Sequence, residues 1–116
     1  MPAVNQIAHI LVCTGGACTG TGQVPAPAPP PVDRLKLRWK TARWYGRVHL
    51  TFTGCLGRCG TPSQALIVHA RGAIGFGGIA DPGWWDELGD WAGAVVAAGR
   101  WLDPQSLDRH RIQPWA

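Results

Sequence analysis

Two stretches of this chain follow one pattern: a short β-forming run, then a glycine-rich loop that carries a pair of cysteines. Residues 8–13 read AHILVC and continue into TGGACTGTG, while residues 48–53 read VHLTFT and continue into GCLGRCG. The first run is apolar and β-branched, the pattern of a buried strand that ends at Cys13. In the second, Val48, Leu50 and Phe52 alternate with His49, Thr51 and Thr53, as in a half-buried strand. Between the two lies a proline-rich connector at 25–31, which can support neither a helix nor a central strand and is expected to run extended. It is followed by a segment, 33–45, with two readings. Leu35, Leu37 and Trp39 alternate as in a strand, whereas Leu35, Trp39 and Ala42 share one helical face; we read a helix. A strand, connecting helix and second strand of this kind fold with the strands parallel and the crossover right-handed. Parallel neighbours deliver their following loops to the same edge of a sheet. Cys13 and Cys18 are therefore expected to meet Cys55 and Cys59.

Downstream, Ala65–His69 and Ala73–Gly77 form an expected antiparallel hairpin around an Arg71-Gly72 turn. A well-punctuated helix follows. Asp81 stands at its cap, Pro82 at its first helical position and Gly99 after its end, and its apolar stripe is Trp84, Leu88, Trp91 and Val95, widened by Trp85, Ala92 and Val96. The tail, 100–116, shows no strong period. With 116 residues the whole chain, 1–116, reads as a single α/β domain, a small mixed sheet with flanking helices. A hydrophobic fraction of 46% with only 16% charged residues excludes a disordered chain. No apolar run approaches the roughly 20 residues needed to cross a bilayer, so no membrane association is expected. The first twelve residues lack the basic flank and cleavage site of a secretory signal, so a soluble, cytoplasmic protein is expected.

In the cytoplasm thiols are usually kept reduced, and a clustered set of cysteines points to metal binding or redox chemistry. Four thiolates at one site suit either a tetrahedral zinc ion or an iron-sulfur cluster. Structural zinc usually draws its cysteines from tight knuckles with about two residues between them. Here the gaps are four residues (13 to 18) and three (55 to 59), on glycine-rich turns, which favours the wider two-iron cluster. A thioredoxin-type dithiol enzyme would need a CxxC, which the sequence does not contain. No catalytic triad, acid-base pair or phosphate loop is recognisable either, so no enzymatic activity is expected.

The arrangement CTGGAC, a spacer of about forty residues, then TGCLGRC and a hairpin ending Gly-Phe-Gly-Gly resembles the thioredoxin-like 2Fe-2S ferredoxins, a family related to a domain of the small NADH dehydrogenase subunit. The resemblance runs from about Ala8 to Ala98. It implies a thioredoxin-like fold, a 2Fe-2S cluster ligated by Cys13, Cys18, Cys55 and Cys59, one-electron transport between redox partner proteins (a reductase and an electron acceptor), and a homodimer. With all-cysteine ligation the implied potential is on the order of the −400 mV of plant-type ferredoxins. The sequence departs from the family in its proline run at 25–31, and in Ile74-Gly75-Phe76-Gly77 where relatives often carry Trp-Tyr-Gly. It lacks the helical domain that precedes the cluster domain in the dehydrogenase subunit, which implies a free-standing carrier. The tail WLDPQSLDRHRIQPW resembles stand-alone members that serve cobalamin synthesis in bacteria. Two other readings keep the same cysteines: a zinc-stabilised binding module, and an iron-sulfur redox sensor whose cluster loss is the signal.

The charge of +4 is uneven. Six of the eleven basic residues, Arg34, Lys36, Arg38, Lys40, Arg43 and Arg47, fall between 34 and 47 among Trp39, Trp44 and Tyr45. That mixture reads as a solvated helix face whose aromatics dock on the sheet, or as a surface for RNA or an acidic partner. No nucleic-acid motif accompanies it, so nucleic acid is not the expected partner. Arg58, inside the second cysteine loop, reads as a cation that offsets cluster charge or as a solvated loop residue. The histidines at 9, 49, 69 and 110 read as packing or surface residues. Among seven tryptophans, several are expected in the core, while exposure of Trp101 or Trp115 would mark an interface.

Overall fold

The computed structural model describes residues 6–14, 30–54 and 63–112. They form a mixed α/β fold in the order β1 (Ala8–Cys13), α1 (Val32–Ala42), β2 (Val48–Thr53), β3 (Ala65–His69), β4 (Gly72–Phe76), α2 (Gly83–Ala98), a 3-10 helix (Gln105–His110) and β5 (Arg111–Ile112). The sheet runs β2-β1-β3-β4-β5. β1 is parallel to β2 and antiparallel to β3, and β3-β4 and β4-β5 are antiparallel. The helix reading of 33–45 holds as far as Ala42, with 43–45 in the cap and turn, and the parallel pairing of the first two strands holds as well. Among the described residues no helix is long and apolar enough to cross a membrane.

β1 differs from its expected form. Ala8, Ile10 and Val12 are buried while His9 and Leu11 are only half-buried, because the buried core lies on one side of the sheet. On that side Ala8, Ile10, Val12, Val48, Leu50, Ala65, Ile67 and Phe76 meet Leu35 and Trp39 of α1 and Trp84, Trp85, Leu88, Trp91, Ala92 and Val95 of α2. The apolar stripe of α2 is thus the expected one. In α1 the stripe is narrower than expected, since Ala42 is exposed. Buried indoles need a partner for their N–H. Trp39 donates to Val48 O (2.8 Å), Trp84 to Leu107 O (3.1 Å) and Trp91 to Leu102 O (2.9 Å).

The helix ends follow their sequence signals. Pro82 is already helical (φ −58°, ψ −27°), and the Asp81 carboxylate accepts from the Gly83 N–H at 2.9 Å, as an N-cap does. Gly99 closes α2 in the left-handed region at φ 67°. α1 closes on a non-glycine: Arg43 sits at φ 59°, its N–H reaching Lys40 O while the Trp44 N–H reaches Trp39 O, a Schellman arrangement. The hairpin turn is shifted by one residue from its expected place. His69 pairs with Gly72, so the two-residue loop is Ala70-Arg71, and Gly72, at φ 142°, already belongs to β4.

The tail supplies elements that its aperiodic sequence concealed. The 3-10 helix is fastened to the start of α2 by Arg109, which pairs with Asp81 at 2.7 Å and with Glu87. Arg109 holds the Asp81 carboxyl below its ordinary pKa, chiefly through their hydrogen bond. β5 then adds two residues to the sheet. Trp101 is half-buried, stacked on His69 with ring centroids 4.2 Å apart and edge-on to Trp91, so its role is packing. Trp115 lies outside the described residues.

Candidate functional site at the carboxyl edge of the parallel strands

β1 and β2 end level with one another. The register pairs Ala8 with Val48 and continues without slip to Cys13 opposite Thr53. Cys13 therefore closes β1 level with Thr53, which precedes Cys55 by two residues in the sequence. The Thr14 N–H and hydroxyl both donate to Thr53 O, at 2.8 and 2.6 Å, which ties the two strands together as they leave the sheet. On the other flank the Cys13 N–H donates to Gln64 O at 3.1 Å. The chain thus leaves this edge at residues 14 and 54 and is back beside it at 63–64.

Cys13 itself is only 2% exposed and is not in a disulfide. Cys18, Cys55 and Cys59, together with Arg58, lie outside the described residues. Among the described residues no group of three or more His, Cys, Asp or Glu side chains is placed to hold a metal ion. Two further features mark this edge. Ser63 is fully buried in the left-handed region at φ 63°, and its hydroxyl has no hydrogen-bond partner among the described residues. A buried hydroxyl in that state is unusual enough to require an explanation, such as an ion, a ligand or a water. Neither its burial nor its backbone angle was legible in the sequence.

The histidines show what register does to residues remote in sequence. His9 and His49 face each other across β1 and β2, with ring centroids 4.8 Å apart and perpendicular, and Tyr45 packs against His49 at 5.5 Å. His9 Nε2 and the Thr51 hydroxyl share a 2.7 Å hydrogen bond. Partial burial, reinforced by the charge His49 would carry, pulls the His9 pKa below its ordinary value. The pairing of an AHI with a VHL on adjacent parallel strands was the sequence signal for this contact. It lies at the opposite end of the strands from Cys13 and carries no part of the cysteine site.

The basic segment is divided by α1. Arg34 pairs with Asp86 at 3.1 Å and Arg38 with Asp90 at 2.6 Å, both on α2. Trp39 and Trp44 pack edge-to-face at 5.0 Å. Lys36, Lys40, Arg43 and Arg47 are exposed and form no ion pair among the described residues. No family model, no curated protein and no solved structure matches this chain.

Proposed function

We propose that this protein is a one-electron carrier, a thioredoxin-like 2Fe-2S ferredoxin that holds its cluster with Cys13, Cys18, Cys55 and Cys59. The observation that carries the reading is the unbroken parallel register ending in Cys13 opposite Thr53. It ends at one edge both strands from which the cysteine-bearing segments continue, as a shared site requires. The strand order and the β3-β4 hairpin before α2 are in keeping with the thioredoxin-like resemblance.

When bound, a 2Fe-2S group takes up and releases one electron at a potential set by ligands, hydrogen bonds to sulfur and solvent exposure. The chain's own contribution follows from its geometry. Cys13 is held in a buried, fixed position by two flanking strands, so its sulfur would be a ligand shielded from water. The N–H groups of Cys13 and Thr14 already donate to carbonyls, which removes both as donors to sulfur. The Ser63 hydroxyl has no hydrogen-bond partner among the described residues and is suited to that task.

The test is a visible spectrum of anaerobically purified protein before and after dithionite, with iron and acid-labile sulfide assayed on the same sample. About two irons and two sulfides per chain, in a red-brown protein that bleaches, is the expected result. A colourless protein with about one zinc would replace the carrier by a zinc-stabilised module. In a Cys59→Ser variant the iron content should fall to less than half of that in the parent; unchanged content would count against four-cysteine ligation.

A further inference from the structure

Four cations without an ion-pair partner among the described residues cluster along and just after α1. Lys36 and Lys40 are spaced i and i+4, so they project from one flank of the helix; Arg43, the left-handed residue that closes it, and Arg47, in the turn before β2, follow in the chain. The opposite flank carries Arg34 and Arg38, both neutralised by α2. The stripe borders β2, the edge strand of the sheet. Its orientation is fixed by the Lys36 ammonium, which sits 5.4 Å from the centre of the Phe52 ring, close to the cysteine-bearing end of β2. At the far end, Trp39 bonds to Val48 O. The positive stripe therefore runs along a sheet edge and ends near the candidate cluster site. Leu37, 65% exposed, stands on the outward face of the helix between the stripe and the Arg34–Arg38 flank, with which it lines a shallow cavity.

From this we propose that Lys36, Lys40, Arg43 and Arg47 dock an acidic protein, the redox partner of the carrier. That the partner is a redox protein rests on the ferredoxin reading; that it is acidic rests on the stripe alone. Single-stranded nucleic acid fits the surface less well, because it is held by aromatic rings on which bases stack as well as by charge. Here Trp39 is fully buried, Trp44 and Tyr45 are packed against Trp39 and His49, and Phe52 lies under Lys36. Trp44 and Tyr45 are half-buried, so no ring of the segment stands fully exposed to a base. Asp33, exposed three residues before Lys36, is the one carboxylate of α1, and the four cations outnumber it; exposed cations of this kind steer an oppositely charged protein and set its register, an effect that weakens as salt rises.

The experiment titrates ¹⁵N-labelled full-length protein, as purified with its metal, with three probes. These are the acidic copper protein plastocyanin, the basic haem protein cytochrome c and poly(U) RNA, each at 10 and 150 mM salt. The expected result is saturable shifts with plastocyanin centred on residues 36, 37, 40, 43 and 47, with affinity falling at least tenfold at the higher salt. Binding should fall at least tenfold in a Lys36→Glu/Lys40→Glu/Arg43→Glu variant and stay within twofold in Arg34→Gln. If the charge-reversed chain does not fold, the corresponding Gln variant replaces it. Absence of stripe shifts with plastocyanin, equal binding of cytochrome c, or tighter binding of poly(U) through the same residues would each overturn the proposal. The two readings fail separately. A colourless zinc protein that binds plastocyanin through the stripe removes the carrier and keeps the acidic partner, whereas an iron-sulfur protein without stripe shifts does the reverse.

Discussion

The two faces of the sheet are built from the same strands and behave as different materials. On one, Ala8, Ile10, Val12, Val48, Leu50, Ile67 and Phe76 are buried with the tryptophans of α2 into a dry core. On the other, the alternate positions His9, Leu11, His49, Thr51 and Leu66 are half-buried and Val68 is 36% exposed. Because side chains alternate across a strand, covering one face with both helices leaves its neighbours partly wet. Polar side chains can then satisfy one another there, as His9 and Thr51 do. The apolar face carries stability and leaves the other face open to polar and titratable groups.

The largest test of this division removes a core indole. Trp84→Ala should cost about 3–5 kcal/mol, since it opens a cavity and leaves the Leu107 carbonyl without its donor. Val68→Ala on the opposite face should stay within about 1 kcal/mol, in keeping with its exposure. Urea unfolding curves of the two variants measure the contrast, and similar losses would dissolve the distinction between faces.

A smaller effect probes how the helices seat on the core face. A Cβ on Gly93 would stand 2.9 Å from the Trp44 ring, a half-buried indole with little room to move. Gly93→Ala should therefore be net destabilising by about 1 kcal/mol, overpacking of about 1–3 kcal/mol outweighing a helix-propensity gain of up to about 1 kcal/mol. At Gly89 the added Cβ would meet the flexible end of Arg38, which can swing away, so Gly89→Ala should cost less. Thermal melts of both rank them; a stabilised Gly93→Ala would mean that Trp44 yields freely.

The smallest effect sharpens the polar side. Burial first, and His49 second, lower the His9 pKa, so the folded chain takes up that proton less readily than the unfolded chain. This contribution to stability is present above the unfolded-state pKa, near 6.5, and is lost as the pH falls through the lower folded-state value. An NMR titration should find His9 below its ordinary range, and His49→Gln should move it upward. An unshifted His9 would show that this face is fully hydrated.

Much of this architecture was legible. The caps at Asp81 and Gly99, the tryptophan stripe of α2 and the alternation in β2 are local patterns, and local patterns survive folding because they depend on neighbours one turn or one pleat away. The hairpin was legible except in its turn. Ala70-Arg71 carries no strong turn signal, whereas Gly72, which the sequence offered as the turn, is required one position later for its backbone angle. The tail was not legible because a 3-10 helix and a two-residue strand are too short to show a period, and their order comes from Arg109 and from pairing with β4.

The sequence by itself determined the four longer strands and the two α-helices, the separation of the four cysteines into two short pairs, and the concentration of basic residues at 34–47. Tertiary structure decided which residues meet. Register set Cys13 level with Thr53 and brought His9 against His49, contacts between residues forty positions apart that no local pattern encodes. It also divided one basic segment into two: Arg34 and Arg38 are neutralised because α2 lies beside them, while Lys36 and Lys40, on the flank toward β2, and Arg43 after them stay free of ion pairs among the described residues. Charge is a property of composition, but its availability depends on what packs alongside, and only the fold supplies that.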